Sequence, residues 1–257
     1  MKRIFYAVFI ILAFFGFIFS QAGFADEKIS SYNQIFYKAN DFYQDGKFDQ
    51  ALLEYEKITD SGSESGNIYY NIGNCYFKKG EIGKSVLNYE RAKRFMPRDS
   101  DLRANYEYAI SKLPPGTAQV PQPLPMKIAL RFYEQFTVDE LTILLSVSYV
   151  FMLVIFASLL FVKTRRAYLA AGLVVILLFS ALTFVTVKER VSVSDKEAVV
   201  LVAKADCKFE PLEQGTTHFE ISEGLKVVVL DSKSGWSKIK RADGKIGWVD
   251  SSGLGII

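Results

Sequence analysis

Hydrophobic residues follow four different rhythms along this chain. Met1-Lys2-Arg3 precedes an uncharged apolar run from Ile4 to Phe19, which gives way to Ser20, Gln21, Gly23 and Ala25 before Asp26. A basic start, an apolar middle and small residues three and one places before a cut predict a signal peptide over residues 1–25. From Asp26 to Leu113 apolar side chains recur every three or four positions, the rhythm of amphipathic helices. Two continuous apolar runs follow, Leu141–Val162 and Ala167–Val187. At about 1.5 Å per residue each is long enough to cross a hydrocarbon core of about 30 Å. After Arg190 the rhythm shortens, and strands are predicted at Ala198–Ala203, Leu225–Leu230, Trp236–Lys240 and Gly247–Val249.

Charges at the ends of the apolar runs predict how they sit in a membrane. Lys163-Thr164-Arg165-Arg166 joins them, whereas Asp139 and Glu140 open the first. Positive loops stay in the cytoplasm, so transmembrane helices are expected over 139–162 and 167–187, with a cytoplasmic loop at 163–166. An exported N-terminus leads to the same topology independently: both polar regions face the extracytoplasmic side. Neither run holds an ionisable residue, so the hairpin reads as an anchor and not as an ion pathway. Residues 114–138, with Pro114, Pro115, Pro121, Pro123 and Pro125, read as an extended linker.

The helical region, residues 30–113, repeats itself at an offset of 34. Ala39 aligns with Gly73, Phe42 with Tyr76, Gly46 with Gly80, Ala51 with Ser85 and Tyr55 with Tyr89. Gly73 is expected to let a paired helix approach, Gly46 and Gly80 to end first helices, and Pro97 to stop the second pair. Leu102, Tyr106 and Ile110 then mark a capping helix or a truncated third repeat. With Tyr69, Ile72, Gly73, Tyr76, Ser85, Tyr89, Ala92 and Pro97 at its spaced positions, this segment resembles the tetratricopeptide repeat family. The resemblance implies a concave face that holds an extended peptide or a partner's helix. Its groove positions correspond to Phe36, Tyr37 and Asn40 in the first copy, to Tyr70, Asn71, Asn74 and Lys78 in the second, and to Asn105 beyond. Members that clamp a terminal carboxylate use cations where Phe36, Asp101 and Asn105 stand, so that clamp is not expected. Two readings stay open for the aromatics and asparagines: ligand contact, or packing between repeats.

In the last region, residues 191–257, Glu223-Gly224-Leu225-Lys226-Val227, Gly235-Trp236-Ser237-Lys238-Ile239 and Asp243-Gly244-Lys245-Ile246-Gly247-Trp248-Val249 resemble the bacterial SH3 domain, a small all-β barrel. Asp243-Gly244 is a hairpin-turn dipeptide in its own right. Trp236, Lys238, Lys240 and Arg241 form the candidate ligand surface; with Lys233 and Lys245 these cations could meet acidic peptidoglycan stems or lipid head groups, though a solvated edge that protects a strand explains them better. Trp236 fits a binding floor or a barrel core equally well, and Trp248 fits the core better.

Charge and reactive residues narrow the function. Residues 26–113 carry 13 basic and 14 acidic side chains and residues 191–257 carry 9 and 10, so neither region has the basic face that a nucleic-acid partner needs. Cys75 reads as a buried apolar residue and Cys207 as an exposed one, and their placement in different regions predicts no disulfide. One histidine, His218, no paired cysteines and no glycine-rich phosphate loop lead to an expectation of binding without catalysis, cofactor or metal.

The whole order, from signal peptide through tetratricopeptide pair, proline linker and membrane hairpin to SH3-like domain, resembles the BatE family encoded in bacterial aerotolerance operons. Tyr69-Tyr70-Asn71-Ile72-Gly73-Asn74-Cys75-Tyr76 and Leu87-Asn88-Tyr89-Glu90-Arg91-Ala92 carry the motif part of that resemblance. It implies a scaffold in the bacterial inner membrane, facing the periplasm and held in a complex with other Bat-type membrane proteins. The alternative is a cell-wall tether or sensor working through the C-terminal domain.

Overall fold

The computed structural model describes residues 32–114, 135–161, 166–194 and 196–257. The expected signal peptide, most of the proline-rich linker and residues 163–165 of the expected cytoplasmic loop lie outside these residues. Among the described residues are seven helices and one seven-stranded sheet, in two compact units that divide after Glu64.

The first unit holds a helix pair, α1 over residues 32–44 and α2 at Phe48–Asp60. Gly46 makes the turn at φ +75°, a backbone that costs glycine little. Ala39, Ala51, Leu52, Tyr55 and Ile58 are buried between the two helices and around them.

The second unit opens with α3 at Gly66–Lys79, α4 at Ile82–Phe95 and α5 at Ser100–Ser111. Ser65 caps α3 by accepting from the Ile68 amide, and Asp99 caps α5 by accepting from the Leu102 amide. Gly80 ends α3 in the left-handed conformation, its amide reaching back to the carbonyls of Phe77 and Tyr76. A Cβ on Gly73 would lie 2.6 Å from the Tyr89 ring, so the missing side chain is what lets α4 pack this close. Leu102 and Ala109 of α5 are buried, and α5 covers the end of the α3–α4 pair.

Two long helices follow, α6 at Val138–Phe161 and α7 at Arg166–Ser194. Both are long and apolar enough to cross a membrane. They pack antiparallel through one stripe of α6, Leu141, Leu145, Ser148, Met152 and Ile155, spaced three and four apart. The Ser148 and Ser180 hydroxyls meet across the pair at 2.8 Å. Outside that stripe large apolar side chains are open, Ile143, Phe151, Val175 and Leu178 among them. Water does not solvate such a surface cheaply; acyl chains do. Helix α7 runs on past Val187, where the apolar rhythm ends, because Lys188, Glu189 and Arg190 break the hydropathy and not the helix.

The sheet is antiparallel throughout, in the order β3-β2-β6-β5-β4-β1-β7. Its strands are β1 Glu197–Val200, β2 Lys204–Lys208, β3 Thr217–Ser222, β4 Lys226–Lys233, β5 Trp236–Lys240, β6 Ile246–Asp250 and β7 Leu254–Ile256. Strands β2, β3 and β7 go beyond the four predicted: β2 and β3 because their polar alternation, as in Lys204-Ala205-Asp206-Cys207-Lys208, hides a one-sided face, and β7 because Leu254-Gly255-Ile256 is too short to show a period. Cys207 is the casualty of that omission: it is fully buried with Phe219, Ile221, Val227, Ile239 and Val249 instead of exposed.

Candidate functional site

In the first unit Phe36 is half-buried with its ring 5.9 Å from that of Tyr55, and Tyr37 is 65% exposed beside it. Asn40 Oδ1 accepts a 2.5 Å hydrogen bond from the Tyr55 hydroxyl, which ties α1 to α2.

The second unit repeats this bond and extends it. Tyr89 donates to Asn74 Oδ1 at 2.7 Å, and Asn105 Nδ2 donates both to Asn74 Oδ1 at 3.0 Å and to the Tyr70 hydroxyl at 2.8 Å. Tyr70, Asn74 and Asn105 therefore meet on one face of α3 and α5, and their polar atoms brace three helices together. Asn71 is half-buried on α3, and Lys78 is exposed near its end. A face of amides and phenols such as this offers hydrogen bonds to a peptide backbone, with Lys78 as its cation.

On the sheet, Trp236, Lys238 and Lys240 point outward from β5, because Ser237 and Ile239 between them are buried. Register places Lys238 opposite Trp248 and Trp236 opposite Asp250. Trp248 is half-buried on the same outer face, and so is Lys208 of β2, whose ammonium lies 5.3 Å from the Trp236 ring centre. Arg241 does not join this face. It pairs with Asp243 and lies over the ring of buried Phe219 at 5.2 Å, closing the core. His218 is exposed and packs on Phe209, with ring centres 4.2 Å apart.

A third set of contacts joins the helices to the sheet within the second unit, through residues that sequence reasoning did not single out. Glu90 of α4 is 6% exposed and accepts from Lys226 of β4 at 3.3 Å and from Lys93 at 3.1 Å. Lys226 also reaches Glu197 of β1 at 3.0 Å. Burial pushes the Glu90 carboxyl up, but Lys226, Lys93 and the Tyr106 hydroxyl outweigh it and hold the group at about 2. Nearby, the Gly83 amide donates to Glu223 Oε1 at 2.6 Å, and Arg91 donates to the Ile256 carbonyl at 2.6 Å. A Cβ on Gly255 would lie 2.5 Å from Leu87 Cδ2, so helix and strand touch there with no room for a side chain. Arg98, beyond α4, pairs with Glu140 in the first turn of α6 at 2.5 Å. The sequence carries no local sign of this set: Glu90 stands between Tyr89 and Arg91 like any surface glutamate, and its partner Lys226 is 136 positions away.

Both cysteines are fully buried, and burial pushes both thiols up to about 12. Among the described residues no group of His, Cys, Asp and Glu is placed to hold a metal ion. No protein-family model and no curated protein matches the chain.

Proposed function

We propose that this protein is a membrane-anchored scaffold of the bacterial inner membrane, working by binding and not by catalysis. Its helical pairs are read as tetratricopeptide repeats and its sheet as an SH3-like barrel. The supporting observation is the Glu90–Lys226 pair with its neighbours: a helix that precedes the membrane hairpin is docked on a sheet that follows it. Two regions in contact lie on one side of any bilayer the hairpin crosses, and the basic tip at 163–166 makes that side the extracytoplasmic one. The order of parts is that of the BatE family, and the reading extends to a complex of Bat-type membrane proteins. Protein partners are held by the face of α3 and α5 that carries Asn71 and Lys78. Photo-crosslinking in intact cells from a reactive side chain at position 78 tests this. A discrete envelope protein captured there, and lost with Asn71→Arg, supports the scaffold; capture of lipid alone counts against it.

The outer face of β5 and β6 favours a second reading, a tether to peptidoglycan, since Trp236 and Trp248 alternate with Lys238 and Lys208. Co-sedimentation of the detergent-solubilised full chain with purified sacculi tests it, and no enrichment over a Trp248→Ala variant removes it.

A further inference from the structure

We infer that the β4–β5 hairpin tip, from Lys233 to Trp236, rests on the anionic lipid surface of the bilayer that holds α6 and α7, an inference that depends on those helices spanning it. Two independent parts of the structure fix the direction in which β4 runs. Along α4, Glu90 bonds Lys226 at the start of β4, and five residues, about 7.5 Å, bring the helix to its end at Phe95, beyond which Arg98 bonds Glu140 in the first turn of α6. From the other side, β1 leaves α7 and runs antiparallel to β4, pairing Glu197 with Val228, while the Val229 amide bonds the Lys196 carbonyl at 2.6 Å.

Strand β4 therefore runs back toward the membrane and passes the level at which the chain left its helix. From Lys226 to Lys233 it advances seven residues, one of them taken up by the bulge between Val229 and Asp231, so about 20 Å at strand rise, which carries the tip at least as far toward the bilayer as Arg98. The turn that arrives there has the composition of a membrane interface. Lys233 and Ser234 are exposed, Trp236 is half-buried with Lys208 over its ring, and Lys238 follows on the same face. Tryptophan sits at headgroup depth because one edge is polar and the rest apolar, and lysine is drawn to anionic headgroups within a Debye length. Asp231 and Asp250 are acidic residues on this face, the latter turned to the Ser252 amide and hydroxyl, and Asp206 lies beside Lys208 on the outer side of β2.

The chain has two tryptophans, which makes the test specific. The full chain is reconstituted into vesicles whose lipids are brominated just below the headgroup, with either phosphatidylglycerol or phosphatidylcholine as the bulk lipid. In a Trp248→Phe variant the emission of Trp236 is expected to fall by about half in the anionic vesicles and much less in the neutral ones. In Trp236→Phe the emission of Trp248, farther from the tip, is expected to change little. Lys233→Glu, at an exposed turn position, is expected to relieve the quenching in the Trp248→Phe background. Flotation of the vesicles at alkaline pH reports hairpin insertion separately. Protein that floats while Trp236 stays unquenched overturns the inference and leaves the anchor intact; protein that does not float overturns both. Equal quenching in the two lipids overturns the anionic preference, and unquenched Trp236 together with binding to sacculi assigns the face to the cell wall instead.

Discussion

The Tyr89 hydroxyl donates to Asn74 Oδ1 across 2.7 Å, joining the two helices of one pair. Thirty-four positions earlier the Tyr55 hydroxyl does the same to Asn40 across 2.5 Å. The repeat seen in the sequence is thus a repeat of a bond as well as of a shape. Tyr89→Phe keeps the ring that fills the space at Gly73 and removes only the donor. It is expected to lower stability by about 1 kcal/mol, read as an earlier urea midpoint with an unchanged slope. Tyr55→Phe is expected to cost a similar amount in the other unit.

Ser85 stands where the first copy has Ala51, and among the described residues its buried Oγ has no hydrogen-bond partner. A buried hydroxyl without a partner costs more than the methyl that would replace it. Ser85→Ala is expected to raise stability by about 1 kcal/mol, measured by the same urea titration.

The Glu90–Lys226 pair is the main polar bond between helices and sheet. Glu90→Gln leaves Lys226 with Glu197 alone; because the Lys226 side chain is 38% exposed and keeps that partner, the loss is expected at about 1–2 kcal/mol, below the cost of breaking a fully buried pair. Replacing both residues, with Glu90→Leu and Lys226→Met, is expected to recover most of that loss. The pH dependence follows from the direction of the shift. Glu90 falls from its ordinary 4.5 to about 2, so its contribution is complete above the ordinary value and drains as pH falls toward the lower one. Lys226 is raised, because Glu90 and Glu197 outweigh its burial, so its contribution is lost only above the ordinary lysine range. Docking is therefore expected to be constant from about pH 5 to 9 and to weaken below about pH 4. Hydrogen exchange of α4 and β1 across that range is the check.

Ser234 and Gly235 form the two-residue turn between β4 and β5, with φ of 50° and 84°. Two positive angles in succession suit Asn-Gly far better than Ser-Gly. Ser234→Asn is expected to stabilise the sheet by about 0.5–1 kcal/mol, seen as a higher melting temperature.

What the sequence made legible was periodic or local. The offset of 34, the left-handed Gly46 and Gly80, the close approach at Gly73 and the hairpin at Gly244 each depend on residues near one another or on a fixed spacing. Strands β2 and β3 were not legible, because a strand such as Lys204–Lys208 buries one side chain, Cys207, among charged neighbours. The candidate site was legible by residue and not by partner. Asn74 and Asn105 could be singled out, yet a bond from Asn105 to Tyr70 spans 35 positions and leaves no local trace. The docking of α4 on β1 and β7 was the least legible of all, since Gly83, Gly255 and Glu223 acquire their roles only after both parts have folded.

The most direct test of the account labels single cysteines in intact spheroplasts with a membrane-impermeant thiol reagent. Cys75 and Cys207 are buried with thiols held near 12, so background labelling is expected to be low. Asp101→Cys on the exposed side of α5 and Ala242→Cys in the β5–β6 turn are both expected to label without lysis, and Thr164→Cys only after it. Labelling of one of the first two in intact cells and of the other only after lysis would place helices and sheet on opposite sides of the membrane and contradict the account.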